Sequence, residues 1–280
     1  MAMTLPPYLH VDLPPENVYG HRHKVECLRA SIDRLRTSER PNLRVLDAGC
    51  GSGRAVTRFL ARQGDHVLGI DMHAPSIEYA QRHYGEESLR FICSDLSMLP
   101  DGDGEYDAIV LADVLEHLTQ PEQVLAAAVA RLAPGGMVLV SVPNGRGPFE
   151  IESAISRLPV IGGLLLKATD VFVALLNKTV LRGLWSRLSD QTPPELPYNE
   201  ESGHVQFFST RGLEKTLRLG GLKVHRWRNV AWWCGPFTNY LFAPSEGFCR
   251  INTEVANRLP RWFVSVWYVE CTVRSPDGPV

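Results

Sequence analysis

The chain lacks an excess of charge of either sign. Its 280 residues carry 29 basic and 31 acidic side chains, a net charge of −2. No bulk potential would hold a polyanion, so DNA and RNA are not expected partners. No C-x-x-C pair occurs among the six cysteines at 27, 50, 93, 234, 249 and 271. A zinc knuckle and a disulfide scaffold are therefore not signalled, and reduced cytosolic thiols are the expectation. No segment offers about 18 uninterrupted apolar residues, so no membrane span is expected. The first twenty residues have no basic stretch followed by an apolar core, so no secretory leader is expected. No internal repeat is visible. What is present is ordinary for a soluble α/β protein: 44% apolar and 21% charged residues.

Residues 1–15 carry four prolines and read as an extended arm. Val18, Val25, Leu28, Ile32 and Leu35 then give one helix face between Glu16 and Thr37. An alternation follows. Strands are predicted at Leu43–Ala48, His66–Asp71, Leu89–Ser94, Tyr106–Leu111 and Met137–Val142. Helices are predicted at Arg54–Gln63, Pro75–Tyr84 and Pro121–Leu132. Such an order implies right-handed crossovers and a parallel, doubly wound sheet. It breaks at Pro143. Residues 149–190 read as apolar helix, 191–202 as a polar loop, Thr210–Leu219 as a helix, Leu222–Asn229 as a strand and 262–273 as a last strand. The organisation predicted is an arm and lid helix (1–40), a core (41–145), a helical insertion (146–203) and a C-terminal part of the sheet (204–280).

The chemistry concentrates in Val45-Leu46-Asp47-Ala48-Gly49-Cys50-Gly51-Ser52-Gly53. An apolar strand delivers an acid, and three alternate glycines then let the backbone turn tightly against a ligand. This is a nucleotide-type site at the first strand-to-helix turn. A dinucleotide site wants G-x-G-x-x-G or A, but Arg54 holds the last position. Asp47 would repel a pyrophosphate and suits an ammonium group. Asp71 and Asp95 follow at the ends of strands 2 and 3, where ligands of open α/β sheets bind. Each alone also fits a helix cap or a solvated strand end.

D-x-G-x-G-x-G resembles motif I of the class I S-adenosylmethionine (SAM) methyltransferases. Tyr106–Val110 and Leu132–Val138 resemble that family's strand 4 and its approach to strand 5. The resemblance implies a Rossmann-like, seven-strand, mostly parallel sheet whose final strand is inserted antiparallel. It also implies SAM as cofactor, held by Asp47, Gly49, Gly51, Gly53 and Asp71. Asp95 would meet the adenine amino group, Met72 and Leu96 would sandwich the ring, and Ala112 would touch the methionine part. Arg22, in the first helix, would pair with the SAM carboxylate, although a solvated helix face is an equal reading.

Methyl transfer from a sulfonium needs mainly positioning. A hydroxyl acceptor also benefits from a base that titrates near neutrality. His117, beside Glu116, and His204 are the candidate catalytic residues. Asp113, Glu116 and His117 resemble the E-x-x-E-H element of ubiquinone-biosynthesis O-methyltransferases, some of which bind a divalent metal there. The opposing reading is a carboxylate that orients a histidine without metal. Asn144 is read as a turn residue or as one that reaches the acceptor.

Between Arg157 and Arg187, five basic residues interleave with an apolar face. This segment reads either as a lid or as a basic amphipathic helix pair at a membrane interface. Trp227, Trp232, Trp233, Phe237, Tyr240 and Phe242 suit the wall of an acceptor chamber or plain core packing. The function read from the sequence is SAM-dependent O-methylation of a small hydrophobic, aromatic or lipid-linked acceptor. Sugar O-methylation, N-methylation, an NAD(P)-dependent oxidoreductase and a non-catalytic SAM-binding module stand as alternatives.

Overall fold

Apolar strand residues with no polar face require cover on both sides, and the structure supplies it. In the computed structural model, residues 18–96, 105–156, 158–176, 203–235, 237–238 and 246–274 are described. Five parallel strands come first: β1 (Arg44–Ala48), β2 (His66–Asp71), β3 (Leu89–Cys93), β4 (Tyr106–Ala112) and β5 (Leu132–Pro143). Val45, Leu46, Ala108, Ile109, Val110, Leu111, Val138, Leu139 and Val140 are all completely buried, as expected for sheet strands covered on both faces.

Helices α1 (Val18–Asp33), α2 (Ala74–Tyr84) and α3 (Pro121–Ala130) belong to this part of the chain. Further on are α4 (Pro148–Ser156), α5 (Pro159–Leu176), α6 (Thr210–Leu219), β6 (Leu222–Ala231), α7 (Glu246–Arg258) and β7 (Val266–Val273). The seven strands form one sheet in the order β3-β2-β1-β4-β5-β7-β6. The last strand is inserted between β5 and β6. Ser265 N–H donates to Ala231 O, and Arg274 N–H donates to Gly221 O. The start of β7 thus meets the end of β6 and the reverse, so the two run antiparallel.

Two compact units divide the chain. One comprises residues 1–23, 144–195 and 229–266; the other comprises 24–143, 196–228 and 267–280 and holds most of the sheet.

Several boundaries differ from the sequence reading. The segment predicted as helix Arg54–Gln63 is a series of turns with one 3₁₀ turn at Thr57–Phe59. Thr57 donates its hydroxyl to Asp47 Oδ2 at 2.7 Å, which pins the chain where a helix would continue. β5 begins at Leu132 rather than at Met137, because Tyr106 N–H reaches Arg131 O and a register shift follows before Ala108 pairs with Met137. β7 begins at Val266 rather than at 262, since residues 261–263 form a 3₁₀ turn. Helix α7 was not foreseen. Asn252, which is buried, interrupts its apolar face and hid the spacing.

Candidate cofactor and acceptor site

Parallel strands end together, so the order β3-β2-β1-β4 places four consecutive strand ends side by side. These ends carry Asp47, Asp71, the Cys93–Leu96 segment and Ala112. Three glycines build the turn after β1. Gly49, Gly51 and Gly53 have φ of 86°, 52° and 67°, a region that L side chains rarely adopt. Their surroundings differ. A Cβ on Gly49 would lie 2.5 Å from Val114, and one on Gly53 would lie 2.5 Å from the Phe91 ring. A Cβ on Gly51 would meet nothing within 4 Å. Two glycines therefore serve packing, and Gly51 faces open space.

The loop is fastened from β2. Gly49 and Cys50 both donate their N–H groups to Ile70 O, at 2.8 and 2.9 Å. Asp71 accepts from Gly51 N–H at 2.8 Å and from His73 N–H at 2.9 Å. Asp47 is only 1% exposed. Burial pushes its carboxyl up from 3.8 to about 7; the Thr57 hydroxyl lowers it, Asp71 raises it and Lys24 lowers it. A cation arriving there would offset the burial cost. Met72 is 69% exposed, an apolar side chain standing beside the strand ends. Asp95 is exposed, while Leu96 and Ala112 are half-buried.

The turn after β4 holds the second constellation. His117 Nδ1 lies 3.2 Å from Gly203 O, and its ring meets that of His204 edge to face at 5.0 Å. Glu116 is buried; its backbone O accepts from the N–H groups of Val205 and Gln206. These bonds carry the irregular segment that follows the insertion onto the β4 turn, and so bring His204 to His117. One ligand atom from each of Glu116, His117 and His204 fits within a span of 4.8 Å. An oxygen and two nitrogens suit a borderline divalent cation.

Asp113, the first position of the E-x-x-E-H-like element, does not join this trio. It is ion-paired with Lys24, accepts from the Ser141 hydroxyl at 2.9 Å, and holds a backbone φ of 57°. Lys24 is 2% exposed and escaped the sequence reading, although it lies four residues before Leu28 on the helix's apolar stripe. Thr57 also escaped, since no spacing links a hydroxyl to an acid ten residues earlier. Arg22 is half-buried on α1, two positions before Lys24 and hence on another side of the helix.

Asn144 is 2% exposed and donates to the carbonyls of Trp262 and Val264, so it is a turn residue rather than an acceptor contact. Trp227 packs edge to face on Trp267, and Trp232 on Trp233. Tyr240 and Phe242 lie outside the described residues, as do Arg157 and residues 177–187 of the insertion.

Residues 19–226 match the methyltransferase domain family. The chain belongs to that family. It is a SAM-dependent methyltransferase. The methyltransferase is 32% identical over 205 residues to a ubiquinone biosynthesis O-methyltransferase of Pseudomonas fluorescens, covering 69% of this chain and 84% of that protein. It is 31% identical to the protein of the same name from Marinobacter nauticus, covering 55% of this chain and 66% of the relative. Among solved structures, an S-adenosylmethionine-dependent methyltransferase from Clostridium acetobutylicum has the same fold. That likeness has a TM-score of 0.53 and 12% identity, and covers 91% of this chain and 92% of the other. All six cysteines of the methyltransferase are free thiols. Among the described residues, no helix is long and apolar enough to cross a membrane.

Proposed function

We propose that the methyltransferase moves the SAM methyl group to a hydroxyl of a hydrophobic, aromatic or lipid-linked acceptor. The observation that carries this reading is the His117–His204 pair on the buried Glu116, at the end of the strand beside the glycine turn. The named role of the relatives, O-methylation in ubiquinone biosynthesis, supports a phenolic oxygen.

In this reading Asp47 receives the amino group of SAM, and Asp71 the ribose hydroxyls. Met72 and Leu96 enclose the adenine, with Asp95 at its amino group. Ala112 faces the methionine chain, and Arg22 serves the carboxylate. An Nδ1–H donated to Gly203 O makes Nε2 the basic nitrogen of His117, and the Glu116 carboxylate 4.0 Å away stabilises the imidazolium. His204 stands edge-on to that ring as the second base candidate.

A second reading rests on the clustering of Glu116, His117 and His204. A divalent cation bound there would polarise the acceptor hydroxyl and lower its pKa. The insertion, 146–203, would cover the acceptor or meet a membrane through 157–187. Its described part supports an apolar contact: Val160, Ile161, Leu164 and Val171 on α5 are exposed.

The test is methyl transfer from isotopically labelled SAM to a catechol with an apolar tail, a tailless catechol, a sugar and an amine. The tailed catechol should be methylated fastest. His204→Ala and His117→Ala should each lower kcat by roughly a hundredfold or more, with S-adenosylhomocysteine (SAH) affinity kept. Unchanged turnover in both variants would remove the histidines from the reaction. Loss of activity on dialysis against a chelator, restored by added divalent cation, would favour the metal reading.

A further inference from the structure

Trp262 is 67% exposed and Phe263 is 42% exposed, although they are neighbours in the chain and their rings meet edge to face at 5.4 Å. Single exposed apolar side chains are common; an adjacent, exposed aromatic pair is not explained by core packing. The sequence places both residues at the start of the last strand, where one of them would point inward. The structure prevents that. Pro260 opens a 3₁₀ turn over Arg261–Phe263, and Phe263 N–H donates to Pro260 O at 2.9 Å.

Asn144 then locks the turn from beneath. Its side-chain N–H groups donate to Trp262 O at 3.1 Å and Val264 O at 2.7 Å, and its backbone N–H donates to Ser265 O at 2.8 Å. Val264 is completely buried. The two aromatic side chains are thus held outward by a fixed backbone, rather than left on a loose loop.

The charged residues nearest to them in the chain have one sign. Arg258 and Arg261 are exposed, and no acidic residue occurs between Glu254 and Glu270. Arg146, also exposed, is joined to the same turn, because its N–H donates to Asn144 Oδ1 at 3.1 Å. Tryptophan prefers the boundary between headgroups and acyl chains, and arginine is drawn to anionic headgroups. The same compact unit carries the exposed apolar residues of α5.

We propose that the Pro260–Phe263 turn is an interfacial anchor, which seats Trp262 and Phe263 among the headgroups of an anionic bilayer with Arg258, Arg261 and Arg146 around them. This surface lies outside the 157–187 segment and needs no particular acceptor, so it stands apart from the proposed reaction.

The full-length protein should co-sediment with vesicles of phosphatidylcholine and phosphatidylglycerol more than with phosphatidylcholine alone, with a blue shift of tryptophan emission. Trp262→Ala with Phe263→Ala should weaken partitioning by roughly tenfold or more. Arg261→Glu should weaken it on anionic vesicles only. Both variants should keep the melting temperature and the SAH affinity of the parent, because these side chains are exposed. Wild-type partitioning retained by the aromatic double variant would overturn the proposal, as would no preference for anionic vesicles. So would sedimentation showing that the aromatic pair instead holds two copies of the chain together.

Discussion

Asp47 sits buried and accepts from the Thr57 hydroxyl, and a Cβ on Gly51 would meet no atom within 4 Å. Burial raises the cost of charge on Asp47, which a cation would offset, and the open space at Gly51 suits close approach of a ligand to the backbone. The three glycines therefore separate by substitution. Gly49→Ala and Gly53→Ala add strain and drive a Cβ into Val114 or Phe91, and each should cost about 3 kcal/mol or more in urea unfolding. Gly51→Ala meets no atom and carries only the positive-φ strain, about 1–2 kcal/mol, yet it should lower SAH affinity at least tenfold. Equal stability losses at all three positions, with cofactor binding intact in Gly51→Ala, would contradict the division of labour. At this scale the sequence was informative where a residue type is required by backbone geometry, as at the glycines. It was silent where a long side chain finds a distant partner, as with Lys24 and Asp113.

Helix α1 joins β4 and β5 through one buried cation. Lys24 pairs with Asp113, and Asp113 also takes the Ser141 hydroxyl of β5 and tolerates its left-handed backbone as few residues can. Removing the lysine alone leaves a carboxylate without its counter-charge. Since Asp113 is 25% exposed, water recovers part of the loss. Lys24→Met should thus cost about 2 kcal/mol. Adding Asp113→Asn should return part of that cost, a coupling that a double-variant unfolding cycle would read. Strict additivity would show that the pair is not coupled.

Elements with a regular apolar period, such as β1, β2, β4 and α2, were legible to within a residue or two. Those set by a side-chain bond were not. Thr57 ends a predicted helix, Asn144 turns a predicted strand into an exposed bend, and Asn252 lies in α7 where an apolar residue would have announced the helix.

Across the whole molecule, the alternating order of strands and helices was enough for the fold class, and the Asp47–Gly53 turn for the cofactor class. The acceptor side was less legible, because His204 lies far in sequence from the adjacent Glu116 and His117 and reaches them through the pairing of Val205 and Gln206 with the β4 turn. Asp47 is the proposed receiver of a cationic amino acid head. Its carboxyl, pushed up to about 7, has two consequences of opposite direction. Between about pH 4 and 7 the unfolded chain has released a proton that the folded, ligand-free protein keeps, so stability falls as pH rises through that window. Cation binding requires the ionised form, so affinity falls as pH drops below about 7.

The decisive measurement is calorimetric titration of SAH, and separately of NAD, into the full-length protein and Asp47→Asn at pH 8 and pH 6. SAH should bind the parent at pH 8, more weakly at pH 6, and the variant weakly at both, with no heat from NAD. Binding of NAD with SAH ignored, or equal SAH affinity in parent and variant at both pH values, would contradict the account.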